Sequence, residues 1–319
     1  MRSGLVIAVV LAMAAAAAAQ PPRPARVGVL LFSSPDRDPN VATFRQALGA
    51  LGWQEGGNLR LEYAYAEGRA ERLPDLAAGL VATRPDLIYA LGGDVVPAVQ
   101  SATRTIPVVM VVSNDPVAAG LVASLARPGG NITGLTFLLS DLAGKRLEML
   151  HEIAPRITRV AILRNPDHAD PDVPESRAAA SQLGIRLQVL DVRGPDELDA
   201  AFQAALRERA EALVVVASRL TILNRERIVE FAARHRLPLV AGWGAWADRG
   251  AVLAYGPKID DVIRRSAAHV DRVLRGAAPA TLPVEQPTTY QLVLNLRAAR
   301  ELGLTVPPSL LLRADRVID

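Results

Sequence analysis

Ten short aliphatic runs, separated by amphipathic stretches of helical length, constrain this chain more than any other feature. Five fall in the first half: VGVLLFSS (27–34), LRLEYAYA (59–66), DLIYALGG (86–93), IPVVMVVS (106–113) and ITGLTFLL (132–139). Five follow in the second: RVAILRN (159–165), IRLQVLDV (185–192), ALVVVAS (212–218), LPLVAGW (237–243) and GAVLAYG (250–256). Most are continuously apolar, as strands buried on both faces are. Helix-like segments such as NVATFRQALGALG and ERLPDLAAGLVATR lie between them, as parallel strands require. The expected fold class is α/β, with two similar lobes, each a parallel sheet covered on both faces. The 319 residues, half of them hydrophobic, suffice for two cores, since a single core stops growing near ~250 residues. Only the architecture repeats; no internal sequence similarity accompanies it.

The lobe junction is expected near residues 137–142, ahead of the helix DLAGKRLEMLHEI. Beyond 256 the reading is a helix, DDVIRRSAAHVDRVLRG, then extended APATLPVEQP, a helix over 289–302, and VPPSLLLRADRVID. At the other end, one arginine, a short alanine-rich apolar stretch and Ala17-x-Ala19 before Gln20 compose a secretory signal peptide over residues 1–19, too short and weakly apolar for a membrane span of about 20 residues. There is no cysteine, which excludes disulfides, thiolate metal sites, thiol catalysis and lipidation at a cysteine. The exported chain is therefore expected to be soluble rather than tethered. Net charge is +3, and Lys145 and Lys258 are the only lysines. The arginines are scattered among acids along helix-like segments. That describes solvated helix faces rather than a nucleic-acid stripe, and no nucleic-acid partner is expected.

In doubly wound sheets ligands bind beyond the carboxyl ends of the strands. Small and polar residues recur there in both halves: Ser33 and Ser34, Gly92, Gly93 and Asp94, Asn114 and Asp115, Thr136, Asn165, Ser218 and Arg219, then Trp243 and Tyr255. Singly these are ordinary caps and turns; jointly they are the candidate ligand site. LGGDVVPAV matches neither a Walker loop nor a dinucleotide loop, lacks a nearby lysine, and carries an acid that would repel phosphate. Its helix start suits a single carboxylate, with Asp94 expected as its N-cap. Asp115-Pro116 is expected to start another helix that RPGGN ends, and Asp115 is also a candidate partner for an ammonium group. His151, His168, His235 and His269 are dispersed, and no metal motif, nucleophile elbow or triad is present. No catalytic residue, metal or cofactor is expected.

Several stretches carry a resemblance: LGWQEGGNLRLEYAYAEGRAERLPDLAAGLV, TIPVVMVVSNDPVAAGLVASLARPGGNITGLT, KRLEMLHEIAP, AYGP and LPVEQPTTYQLVLNLRAARELGLTVPPSLLLRADRVI. Across the mature chain they resemble the ABC transporter substrate-binding family whose better-known relatives bind tryptophan or tyrosine. The resemblance implies a type I periplasmic-binding fold: two Rossmann-like lobes, three hinge crossings, and a ligand held between the lobes. Lobe one would span 26–138, completed by about 256–282, and lobe two 139–255, completed by about 284–319. The implied function is a periplasmic, monomeric receptor that closes over an amino-acid-like small molecule and presents it to an inner-membrane ABC permease. Where relatives commonly carry an Arg and a Phe, this chain has Gly244 and Trp246. An exported sensory domain, or an exported enzyme on the same lobes, are the alternatives.

Overall fold

The computed structural model describes residues 23–34, 38–137, 142–167 and 172–319. The expected signal peptide and His168 lie outside the described residues. The first sheet contains β1 (Ala25–Leu31), β2 (Leu59–Tyr65), β3 (Leu87–Leu91), β4 (Val108–Val112) and β5 (Ile132–Thr136), in the order β2-β1-β3-β4-β5. All its pairings are parallel. Alternate residues of each strand feed opposite cores. Along β1, Val27, Val29 and Leu31 pack with Phe44 and Leu48 of α1 (Pro39–Ala50), while Leu30 packs with α2 (Leu73–Ala82) and α3 (Val95–Ala102).

The second sheet holds β6 (Arg159–Arg164), β7 (Arg186–Asp191), β8 (Ala212–Val215), β9 (Leu239–Ala241), β10 (Leu253–Pro257), β11 (Tyr290–Asn295) and β12 (Arg316–Ile318). Its order, β12-β11-β10-β9-β8-β6-β7, repeats the arrangement of the first sheet from β7 through β10 and adds two strands at the edge. One face is covered by α4 (Leu142–Ile153) and α5 (Asp172–Gln182), together with α11 (Leu296–Glu301) and α12 (Pro308–Leu311). The other is covered by α6 (Leu198–Arg207), α8 (Arg225–Arg234) and α9 (Gly244–Ala247). Two doubly wound α/β lobes result.

The chain passes to the second sheet after Phe137, returns after Pro257, and passes over again beyond Glu285. On the return it forms α10 (Ile259–Leu274), whose Val262, Ile263, Ala267 and Val270 sit in the core of the first lobe. The expected helix over 289–302 is corrected: Tyr290–Asn295 is a strand, antiparallel to β10. Leu292, Val293 and Leu294 are buried between neighbours on both sides. A short apolar run does not distinguish strand from helix by period. The helix begins only at Leu296, where the Asn295 side chain accepts from the Ala298 N–H at 2.8 Å. The helix expected after Asp115 is also absent. The Asp115 carboxylate accepts from the Val117 and Ala118 N–H groups at 2.8 and 3.2 Å, but the segment continues as turns.

The last crossing is clamped to α10 by charge. Glu285 accepts from Arg265 (2.5 Å) and Arg272 (2.9 Å), and Arg265 also donates to the Gln286 carbonyl at 2.9 Å. Beneath them lies His269, fully buried, within 3.1 Å of the Pro283 carbonyl and 3.0 Å of Arg272 Nη2. Burial lowers the His269 pKa, with Arg272 adding to it against Pro283 and Glu285. The folded chain thus holds this imidazole neutral, whereas the unfolded chain protonates it near pH ~6.5. Its contribution to stability is complete above that pH and is lost as pH falls below it. The urea midpoint is expected to drop between pH 7 and 5.5, and to drop less in His269→Gln. Equal slopes in the two chains would contradict this.

Candidate ligand-binding site

Because the strands of each lobe run parallel, their carboxyl ends make one edge per lobe. In the order β2-β1-β3-β4-β5 the connections reverse direction between β1 and β3, and that switch point leaves a crevice. It is flanked by Phe32, Ser33 and Ser34 after β1 and by Gly92, Gly93 and Asp94 after β3. The equivalent point in the second lobe, between β6 and β8, is flanked by Asn165 and by Ser218 and Arg219.

Several candidate side chains serve local structure. Ser33 donates to Asp38 at 2.6 Å, the residue that caps α1. Ser34 is half-buried beside it. Asn165 accepts from the Asp167 N–H at 3.0 Å, closing its own turn. Ser218 is buried and forms a capping box with Thr221 at the start of α7 (Arg219–Leu223). Thr136 is fully buried and donates to the Asn114 carbonyl at 3.0 Å. Gly92 has φ +125, which favours glycine, and its carbonyl accepts from the Val95 N–H at 3.1 Å to start α3. Half-buried Gly93 follows it.

Asp94 departs from expectation. It precedes α3 in helical conformation, and its side chain makes no cap hydrogen bond. Its carboxylate instead meets the other lobe, 3.4 Å from Arg219 Nε. The same guanidinium lies 3.8 Å over the ring of Phe32, a cation–π contact that also crosses from lobe to lobe. Burial lowers the Arg219 pKa, opposed by Asp94 and Glu71, and its Nη1 is buried without a partner. The Asn114 Oδ1 is likewise buried and unpaired. Arg219 therefore ties the switch point of one lobe to that of the other.

A second bridge is aromatic. Phe137, just past β5, and Trp243, just past β9, meet at 6.0 Å between centroids and 55° between planes. Trp246 belongs to the second lobe's core at 2% exposure. Tyr255 is half-buried, and its carbonyl accepts from Arg146 Nε at 3.0 Å. Arg146, 6% exposed, also donates to Asp172 at 2.7 Å. Phe32, Phe137 and Arg146 were not among the sequence candidates. An aromatic immediately beyond an aliphatic strand is the signal that could have flagged the first two; nothing in sequence distinguishes Arg146 from its surface counterparts. A groove of about 190 Å³ between α6 and α8 is lined by second-lobe residues, among them Phe202, Phe231 and Arg227, so an occupant would touch one lobe only.

Among the described residues no group of His, Asp or Glu side chains could hold a metal, and no helix is long and apolar enough to cross a membrane. The family model for ABC transporter substrate binding proteins matches residues 26–318. A tyrosine-binding protein of Clostridioides difficile is 24% identical over 83% of this chain and 76% of its own length. A Streptococcus pneumoniae ABC domain in complex with L-Trp superposes with a TM-score of 0.83 at 24% identity, over 92% of this chain and 100% of that one. A conserved domain protein of Vibrio cholerae reaches the same TM-score at 27% identity and the same coverage. The family, the tyrosine-binding protein and the protein of the L-Trp complex are binding proteins rather than enzymes. The chain belongs to the ABC transporter substrate binding protein family.

Proposed function

We propose that this protein is the periplasmic receptor of an ABC importer, closing its two lobes over an amino acid, by default an aromatic one, and handing it to a membrane permease. The observation that carries this reading is Arg219, which spans the cleft to Asp94 and Phe32 at both switch points. A ligand that contacts both lobes supplies the differential affinity that favours closure; one that contacts a single lobe shifts nothing. Phe32, Phe137 and Trp243 offer aromatic surface at the same edges, which suits a ring-bearing side chain. The tyrosine and tryptophan ligands of the relatives support the same class. Residues 1–19 act in this reading as a cleaved export signal, so the mature chain begins at Gln20.

Mass spectrometry of the small molecule released on denaturing the purified protein tests the ligand class, followed by thermal-shift titration of an amino-acid panel. An aromatic amino acid that is released and raises the melting temperature is the expected result. Release of a non-amino-acid, with no shift from the panel, would overturn it. Trp243→Ala is expected to weaken binding roughly tenfold, about 1.4 kcal/mol, and, because the ring also packs against the second-lobe core, to lower the melting temperature of the ligand-free chain. N-terminal sequencing should return Gln20, and an intact Met1 on exported protein would contradict the signal.

A further inference from the structure

The contact between Arg219 and Asp94 is incomplete in an informative way. At 3.4 Å from Nε to Oδ2 it is an ion pair longer than a good charged hydrogen bond. Arg219 Nη1, a donor on the second lobe, is buried with no acceptor, and Asn114 Oδ1, an acceptor on the first, is buried with no donor. Leaving such groups unpaired is costly, so each marks a place for a ligand atom. Asn114 is 7% exposed. Asp94 and Asn114 stand equally far beyond the last register pair of their strands, Leu91 with Val111. The first lobe thus presents a carboxylate and a carbonyl-type acceptor, and the second a guanidinium with a spare donor.

We propose that the ligand is a zwitterion that splits the Arg219–Asp94 pair, its carboxylate going to Arg219 on the second lobe and its ammonium to Asp94 and Asn114 on the first. Without ligand the two residues hold each other and keep the lobes in contact. With ligand, each charge is exchanged for one of opposite sign on a molecule that joins both lobes. The helix start at α3 does not anchor the carboxylate, because Asp94 already places negative charge there. Asp115 commits its Oδ1 to two backbone N–H groups, whereas Asp94 faces Arg219 of the other lobe, so the ammonium is assigned to Asp94. The inference rests on the cleft being the ligand site.

Calorimetric titration of the ligand-stripped chain with L-tryptophan, tryptamine and 3-indolepropionate, and with the matching tyrosine series, tests the polarity. The amino acid should bind at least ~30-fold more tightly than either analogue. Asp94→Asn should weaken the amino acid and the amine by at least ~30-fold while leaving the carboxylate analogue within about twofold. Arg219→Gln should do the reverse. Equal losses across all three ligands, or the opposite pattern, would overturn the assignment. A second readout needs no ligand. The cysteine-free chain accepts fluorophores at Ser101→Cys and Glu230→Cys, one exposed position on each lobe. Asp94→Asn should lengthen the mean separation in the ligand-free state, and an unchanged separation would sink the latch. If no amino acid binds the wild-type chain, the amino-acid reading itself fails; the ligand-free separation still decides whether Arg219 and Asp94 hold the lobes.

Discussion

A chain carrying Gly256→Ala is expected to lose more than ~3 kcal/mol of stability, beyond the usual cost of overpacking a core position. A Cβ at Gly256 would stand 1.8 Å from the carbonyl oxygen of Gly242 and 2.9 Å from its carbon. Both are backbone atoms, so no rotamer change relieves the clash, and the ends of β9 and β10 must separate. A Cβ at Gly242 would in turn lie 3.3 Å from Arg146 Nη2. Two glycines and an arginine thus interlock at the ends of β9 and β10, next in sequence to Trp243 and Tyr255. Urea denaturation followed by tryptophan fluorescence measures the loss, since the buried Trp246 reports on this lobe. A midpoint within experimental error of wild type would show that the strands tolerate more space than this packing allows.

Arg146→Met is expected to cost ~3–5 kcal/mol, the range found when one partner of a buried ion pair is removed. The guanidinium is 6% exposed and serves two masters, the Asp172 carboxylate and the Tyr255 carbonyl. Methionine fills much of the volume but supplies neither bond, so the ends of β9 and β10 loosen and ligand affinity falls together with stability. Pairing Arg146→Met with Asp172→Asn gives a double-mutant cycle. The double variant should be less destabilised than the sum of the two singles by at least ~1 kcal/mol. Strict additivity would show that the two side chains do not act on each other.

The two-lobe architecture was legible because it rests on pattern. Each of the ten aliphatic runs contains a strand, displaced by at most a few residues at its ends, since, in all but the edge strands β2 and β7, burial between two layers of helices leaves a continuous apolar signature. Tyr290–Asn295 was misread for the same reason in reverse: buried on both faces and followed at once by a true helix, it has no period to betray it. The candidate site was legible as a set of strand ends but not as contacts. Ser33, Asn165 and Ser218 behave as the turn and cap formers that their residue types favour. Asp94, expected to do the same, faces Arg219 instead. Which residues meet across a cleft depends on how the lobes are set against each other, and no local propensity encodes that. Phe32 and Phe137 were missed for this reason; Arg146 was missed because its partners Asp172 and Tyr255, though in the same lobe, are distant in sequence. The arginine-rich surface was legible, with pairs such as Arg234–Glu230 and Arg264–Asp261 lying along exposed helix faces. Pairs of that kind add little to stability.

The most direct measurement is a crystal structure of the chain with its co-purified small molecule in place. The ligand is expected between the strand ends of the two lobes, in contact with Arg219 on one side and Asp94 on the other, with Phe32, Phe137 or Trp243 against its apolar part. A ligand that touches residues of one lobe only, or that occupies the groove between α6 and α8, would contradict recognition by closure between the lobes.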